Sequence, residues 1–292
     1  MYAILVVTGG KKMIKLDCIA CDIDNTLTNK GGKLMPKTRE AFEILHSQGV
    51  RIGIASGREL DNRILEAYKD WGLSFQFDFL IGMNGGMVKD TYNNRSYSID
   101  LMDRSLMKEI LEYTLDTVNE RNIAVTLEGD NNHYAMNINE VIKEIELRKM
   151  FHFEDATNNV DLMCSKGCYK ILYRSEEPED DELIREMIER KYGDKLQCAI
   201  SFPGTIEIFM KGYDKGTGIK MYLDWNNLSS DNLMAFGDSE NDHAMLKLAG
   251  HSVCLKNGSD STKELCDDVT DYVCLEDGVG HYLMDKVIGE AK

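Results

Sequence analysis

Asp22 and Asp24 stand two residues apart in CDIDNTLT, directly after the apolar run Leu16–Cys21. In a strand, a period of two sends both carboxylates to one side, and at the strand's carboxyl end both face one ligand. Two close carboxylates repel by several kcal/mol at an effective dielectric of about 20, so a site that keeps them together needs a cation or a shared proton. Asp238 and Asp242 form a second pair in FGDSENDHAML, where four-residue spacing places them on one face of a helix start beside Asn241. Either pair alone reads equally well as helix capping, which aspartate favours. The two pairs together, with Ser56, Asn241 and Lys215, make an oxygen-rich set that selects Mg²⁺ over zinc or copper.

The remaining candidates supply phosphate ligands and a cation. Ser56 closes the run VRIGIA, so its hydroxyl and the following Gly57 N–H form a cradle for an anion if a helix starts there. A capping serine is the alternative. Lys215, in YDKGTGI, opens a helical stretch where the dipole disfavours a cation, which implies an anionic partner. Arg58 either reaches a ligand or faces solvent from a helix. Asn84-Gly85-Gly86 is either a plain turn or a hinge. His243 adjoins the second acidic motif and is expected on a helix surface. A carboxylate nucleophile beside a second carboxylate, a metal and a lysine is equipped for covalent phosphoryl transfer, which splits a hard hydrolysis into two easier steps.

Short apolar runs alternate with helical patterns and position these residues. Strands are expected at Leu16–Cys21, Val50–Ala55 and Phe79–Met83, with one helix opened by Pro36 and stopped by Gly49, and a second running from after Ser56 to about Trp71. This βαβαβ order predicts an open parallel sheet with ligands at the carboxyl ends of its strands. Beyond Gly86 the texture becomes α+β, with strands near 123–127, 133–136 and 169–173 and helices near 104–120 and 179–192. After Met210 the βα alternation returns: a helix from Gly216, a strand at Leu233–Phe236, a helix from Asn241 and a strand at Ser252–Leu255. The middle therefore reads as an insertion. The acidic run Glu176–Glu182 is a solvated loop and helix start.

Composition narrows the partners. Against 34 basic residues stand 50 acidic ones, a net charge of −16, which excludes a nucleic-acid backbone or an anionic membrane as the main partner. Eight cysteines without a framework spacing read as reduced thiols. The Cys18/Cys21 pair falls inside an apolar run as buried side chains, and Cys164/Cys168 lacks the two further ligands that zinc requires. The opening apolar run of about seven residues is too short to span a bilayer, and no stretch reaches the roughly 20 that a span needs. A cytoplasmic location is expected, with Met13 an alternative start. No GxxxxGK[ST] occurs, which sets aside a phosphate-loop nucleotidase.

Taken in order, DxDxT, a strand ending in Ser-Gly-Arg, KGxG and GDSxND resemble the haloacid dehalogenase superfamily of phosphatases. The long insertion, NGG and SGRE are similar to its Cof-type branch with a type IIB cap. The resemblance covers the chain from about residue 14. It implies an α/β fold: a Rossmann-like parallel-sheet core at 14–86 and 211–292, an inserted α/β cap at 87–210 that moves about hinges near Gly86 and Gly212, and an extension at 1–13. It further implies that Asp22 is nucleophile and metal ligand, and that Asp24 is general acid and base with its carbonyl on Mg²⁺. Ser56 and Asn241 would hold phosphate, Lys215 would neutralise the transferring group, and Asp238 and Asp242 would complete the metal site. Asn25 replaces the glycine common in the family, and asparagine tolerates the backbone turn required there. The expected activity is hydrolysis of small phosphorylated metabolites, sugar phosphates or phosphorylated cofactors, by a monomer or homodimer. A phosphomannomutase-like phosphotransferase and a non-catalytic sugar-phosphate sensor are the alternatives.

Overall fold

The computed structural model describes residues 4–8, 12–28, 32–118, 121–126, 132–138, 152–174, 180–202 and 204–289. The chain divides into two compact units, one formed by Met1–Ser98 with Tyr213–Lys292 and the other by Ile99–Gly212. Part of the acidic run Glu176–Glu182, residues 176–179, and the ends of the stretches expected at 104–120 and 123–127 lie outside the described residues.

In the first unit, Ile4–Thr8 (β1) and Lys12–Leu16 (β2) pair as an antiparallel hairpin. Cys18–Cys21 (β3), Arg51–Ala55 (β4), Phe79–Gly82 (β5), Met87–Asp90 (β6) and Arg95–Ser98 (β7) follow. The inserted unit holds Asn122–Thr126 (β8), Asn132–Met136 (β9), His152–Asp155 (β10), Lys170–Arg174 (β11), Leu196–Phe202 (β12) and Thr205–Met210 (β13). The returning chain contributes Leu233–Gly237 (β14), His251–Cys254 (β15) and Asp268–Val269 (β16).

The large sheet runs β16-β15-β14-β3-β4-β5-β6-β7, parallel from β16 to β5. All four residues of β3 are buried, as expected of a parallel strand covered on both faces. Ile19 and Cys21 pack into one apolar cluster with Ile52, Ile54 and Phe42, while Cys18 and Ala20 pack into another with Phe79, Ile81 and Tyr222. Their spacing of three thus sends Cys18 and Cys21 to opposite faces, so they do not share a ligand site. Pro36 opens the helix Pro36–Ser47 that covers the first face, and Gly49, at φ 94°, turns the chain into β4.

The inserted unit is a sheet in the order β10-β9-β8-β11-β13-β12. Helices Arg104–Val118 and Asp180–Tyr192 bring Met107, Ile110, Ile184 and Ile188 against Ile123, Val125, Ile171 and Tyr173. Cys164 and Cys168 are buried in this cluster. Among the described residues no helix is long and apolar enough to cross a membrane.

Three sequence expectations are corrected. The inserted unit begins at Ile99, not at residue 87, because β6 and β7 add antiparallel to β5. Met87–Ser98 reads as polar, yet Val88 and Asp90 alternate inward, and Asn94 at φ 52° makes the hairpin turn. Gly86 consequently lies within the core unit and not at its edge, whereas Gly212 ends the insertion. Third, no helix starts at Ser56. Residues 56–61 form a loop, and the expected long helix is two short ones, Asn62–Leu65 capped by Asp61 and Ala67–Asp70.

The Asn84-Gly85-Gly86 turn is conformationally demanding. Met83, Asn84 and Gly85 have φ of 47°, 50° and 103° in succession. A Cβ at Gly85 would run into the carbonyl of Asp214, the residue that caps the helix Lys215–Trp225. Gly85→Ala is therefore expected to cost about 2 kcal/mol or more, from the left-handed backbone and the clash combined. Thermal unfolding checks this, and an unchanged midpoint would show that the turn does not set the helix position.

Candidate active site

The strand order reverses between β3 and β14, since the chain runs from β3 to β4 on one side and adds β14 on the other. In an open parallel sheet, the crevice beyond the carboxyl ends at such a point is where ligands bind. Asp22 follows β3 directly and Asp238 follows β14 directly. The Asp22 N–H donates to the Phe236 carbonyl at 3.0 Å, so the ladder itself fixes how the two carboxylates approach.

Carboxylate oxygens of Asp22, Asp238 and Asp242 come within 4.8 Å of one another, and all three residues are buried. Lys215, fully buried at the first turn of its helix, donates at 2.6 Å both to Asp22 Oδ1 and to Asp242 Oδ1. These are the anionic partners that its place at a helix start implied. Burial opposes the ammonium charge, but Asp22 and Asp242 more than offset this and hold the lysine well above its usual range. Asp242 Oδ2 accepts from the backbone N–H groups of Asp238 (2.9 Å) and Ser239 (3.1 Å), which makes this carboxylate the clamp of the loop. Gly237 permits that clamp, because a Cβ there would lie 2.8 Å from Asp242 Oδ2.

The other sequence candidates gather around this cluster. Thr26 Oγ1 donates to Asp238 Oδ1 at 2.7 Å, joining the β3 loop to the β14 loop. Asn25 adopts φ 61°, the backbone that the substitution for glycine must tolerate. Ser56 is 1 % exposed, and its Oγ accepts from the Arg58 N–H at 3.2 Å, so a small local turn past Gly57 replaces the expected helix cradle. The Asn84 N–H donates to the Ser56 carbonyl (3.0 Å), and Asn241 Nδ2 donates to Asn84 Oδ1 (3.3 Å). Asn84 thus bridges the two residues expected to hold phosphate. Arg58 points neither to solvent nor to an empty cleft: Nε and Nη2 donate to Asp24 Oδ2 and Oδ1 at 2.9 and 2.5 Å. His243 is half-buried, with Nε2 2.9 Å from Thr262 Oγ1.

Three carboxylates against one ammonium leave two negative charges unbalanced in a buried cluster. Burial, followed by Asp242, pushes Asp238 up to about 7, and burial raises Asp22 well above the usual carboxylate range. A divalent cation fits this set in charge and in donor type, which is oxygen alone. The sign of the linkage is testable. With a folded pKa near 7 and an ordinary value of about 3.9, the cation-free folded state holds Asp238's proton more tightly than the unfolded chain. Stability therefore declines as pH rises from about 4 to 7, by about 4 kcal/mol if Asp238 acts alone. In EDTA the unfolding midpoint should fall across that window, and added Mg²⁺ should raise it more at pH 8 than at pH 5. Equal Mg²⁺ shifts at both pH values would refute the cluster as the cation site.

Comparison with known proteins supplies the decisive observation: the family model described as haloacid dehalogenase-like hydrolase matches residues 19–283. The chain belongs to the haloacid dehalogenase-like hydrolases. The resemblance carried by its motifs is borne out, as is the reading of the chain as a phosphohydrolase of this family. It is similar to the 5-amino-6-(5-phospho-D-ribitylamino)uracil phosphatase YcsE of Bacillus subtilis, with 29% identity over 91% of this chain and 94% of that protein. It is likewise similar to an HMP-PP phosphatase of Yersinia pestis, with 26% identity over 90% of this chain and 93% of that one. The solved HAD subclass IIB sugar phosphatase BT4131 shares the fold of this haloacid dehalogenase-like hydrolase at a TM-score of 0.75 and 20% identity, over 92% of this chain and 98% of that structure.

Proposed function

We propose that the protein is a Mg²⁺-dependent phosphatase that hydrolyses small phosphate monoesters through an aspartyl-phosphate on Asp22. The observation that carries this reading is the buried Asp22 carboxylate held by Lys215 beside Asp238 and Asp242. An Asp22 oxygen attacks phosphorus as the bond to the leaving oxygen breaks, and Asp24 gives that oxygen its proton. Asp24 then takes a proton from water, which attacks the phosphoenzyme, releases inorganic phosphate and restores Asp22. Lys215 offsets charge on Asp22 and on the transferring group, while Ser56, the Gly57 N–H and Asn241 hold the equatorial oxygens. Asp22, the Asp24 carbonyl, Asp238 and Asp242 would hold Mg²⁺, which would supply further charge neutralisation.

Arg58 ties up both Asp24 oxygens, so it sets where the acid-base carboxylate sits. This pair is part-exposed and contributes little to stability, within about 1 kcal/mol. Arg58→Ala is therefore expected to lower kcat about ten- to a hundredfold through misplacement of Asp24, with a nearly unchanged melting temperature. Steady-state kinetics check it, and an unaltered kcat would remove Arg58 from the machinery.

Substrates are sugar phosphates or phosphorylated cofactors, in line with the relatives' phosphatase names, and selectivity among them is assigned to the inserted unit. The acidic, thiol-rich composition suits the reducing cytoplasm. The test is release of inorganic phosphate from a panel of phosphorylated metabolites with Mg²⁺ or EDTA. Release that EDTA abolishes supports the assignment. No release, together with isomerisation of a hexose phosphate that requires a bisphosphate activator, would replace it with a mutase.

A further inference from the structure

Three elements that carry phosphate-site residues meet at the turn Met83–Gly85. Its backbone is stitched to the loop after β4: the Ser56 N–H donates to the Ile81 carbonyl (2.8 Å), the Met83 N–H to the Arg58 carbonyl (2.8 Å) and the Asn84 N–H to the Ser56 carbonyl (3.0 Å). Its other flank lies against the helix Lys215–Trp225, where a Cβ on Gly218 would stand 3.0 Å from Gly85 Cα. The side chain of Asn84, 2 % exposed, reaches the loop after β14 through Asn241. We propose that Asn84 is a positioning residue that holds the Asn241 amide with its N–H side toward the phosphate and thereby sets the affinity of the site for phosphate.

A side chain stands at this position against conformational preference. Asn84 holds φ 50° and ψ 35°, between Met83 and Gly85 that are left-handed as well. Glycine takes such a backbone without steric cost, and glycine fills the next two positions. Asparagine is one of the few other residues that tolerate it, and it brings an amide that glycine lacks. The backbone bonds to Ser56 and Arg58 hold the turn whatever the side chain, so what the asparagine adds is its reach to Asn241. Backbone held in this way by its surroundings is typical of ligand clamps.

The chemistry turns on which way the Asn241 amide faces. An amide carries two donor hydrogens on its nitrogen and an acceptor oxygen opposite, so its orientation decides whether an anion is attracted or repelled. Asn241 Oδ1 accepts from Ser239 Oγ at 2.8 Å, and one Nδ2 hydrogen goes to Asn84 Oδ1 at 3.3 Å. The second Nδ2 hydrogen is the one that a phosphate oxygen takes. The Ser239 hydroxyl alone does not fix this arrangement, because it can donate to the amide oxygen or accept from the amide nitrogen equally well. Asn84 Oδ1 accepts and cannot donate. It therefore breaks the symmetry and keeps the Asn241 oxygen from turning toward the anion.

This inference rests on the reading of Asn241 as a phosphate ligand in a phosphatase. Asn84→Gly removes the amide and suits the left-handed backbone, so it isolates the side chain from the turn. The dissociation constant of inorganic phosphate is measured with Mg²⁺ by titration calorimetry for the full-length wild type, Asn84→Gly, Asn241→Ala and the double variant, beside steady-state kinetics and melting curves. Asn84→Gly is expected to weaken phosphate binding about tenfold and to raise KM by a similar factor, with kcat changed less than about threefold and a melting temperature close to that of the wild type. On the Asn241→Ala background it should weaken binding no further, since Asn84 acts through Asn241. Unchanged phosphate affinity in Asn84→Gly, a further tenfold loss on the Asn241→Ala background, or a glycine variant that melts far below the wild type would each overturn the role of Asn84 and leave the phosphatase reading standing. A wild type that binds no phosphate with Mg²⁺ and releases none from any substrate would overturn that reading, and the role of Asn84 with it.

Discussion

Asp22→Asn is expected to reduce phosphate release by about four orders of magnitude or more while leaving the fold in place, as removal of a covalent nucleophile does elsewhere. The two side chains match in shape, and asparagine keeps an oxygen for Lys215, which retains its second bond to Asp242. The substitution also removes one of three buried carboxylates, the one whose proton affinity is raised by burial first and then by repulsion from Asp242 and Asp238. In EDTA near neutral pH the variant should therefore melt no lower than the wild type, and its stability should depend less steeply on pH. Inorganic-phosphate assays with a good substrate, beside melting curves in EDTA, separate the two effects. Activity within tenfold of the wild type would end the aspartyl-phosphate assignment. Lost activity together with a collapsed melting temperature would mean that Asp22 is chiefly structural.

Lys215→Met should cost both stability and turnover. Methionine fills the space of the aliphatic stem but leaves Asp22 and Asp242 buried without their ammonium, and breaking a buried pair in this way typically costs about 3–5 kcal/mol. For a unit of this size that lowers the melting temperature by roughly 10 °C at neutral pH. The sign of the pH effect is fixed by the carboxylates. Burial already raises the folded pKa values of Asp22 and Asp238, and loss of the lysine raises them further, so the deficit is largest above neutrality and shrinks as acid neutralises them. Turnover should fall about a thousandfold, the scale seen when one fixed electrostatic stabiliser of a transition state is removed. Melting curves at pH 5 and pH 8 and kinetics with Mg²⁺ decide the matter. A methionine variant as stable as the wild type at both pH values would show that the lysine does not hold the cluster together.

The acidic pairs and Lys215 were legible because each is announced locally, by a strand that ends in turn residues or by a helix start with an ill-placed charge. The parallel core was legible for the same reason: CIAC, RIGIA and LMAFG are short apolar runs between recognisable helices. What stayed hidden is what depends on residues far apart in the chain. Arg58 had no local reason to choose Asp24, 34 residues away, over solvent. Asn84 looked like a turn residue, and its bond to Asn241 spans 157 positions. Thr26 sat in plain view beside Asp24, but its grip on Asp238 appears only when β3 and β14 are side by side. The β6–β7 hairpin was misassigned because its pattern is that of an edge, where β7 is exposed at every position and polarity does not mark a sheet boundary.

The pairing of β3 with β14 also dictates when the enzyme comes into being during its own synthesis. Cys18 and Leu233 are neighbours in register although more than two hundred residues separate them. At about 5–20 residues per second, a ribosome needs on the order of ten to forty seconds to make the intervening chain. Throughout that interval one edge of the apolar strand β3 has no partner, and Asp22 has neither Lys215 nor Asp238 beside it. The nascent protein thus carries a sticky, inactive half-sheet that a chaperone has reason to shield, and the acidic cluster comes together only in the last moments of folding. A chain terminated within the insertion would retain Asp22 and Asp24 and still be unable to assemble the site.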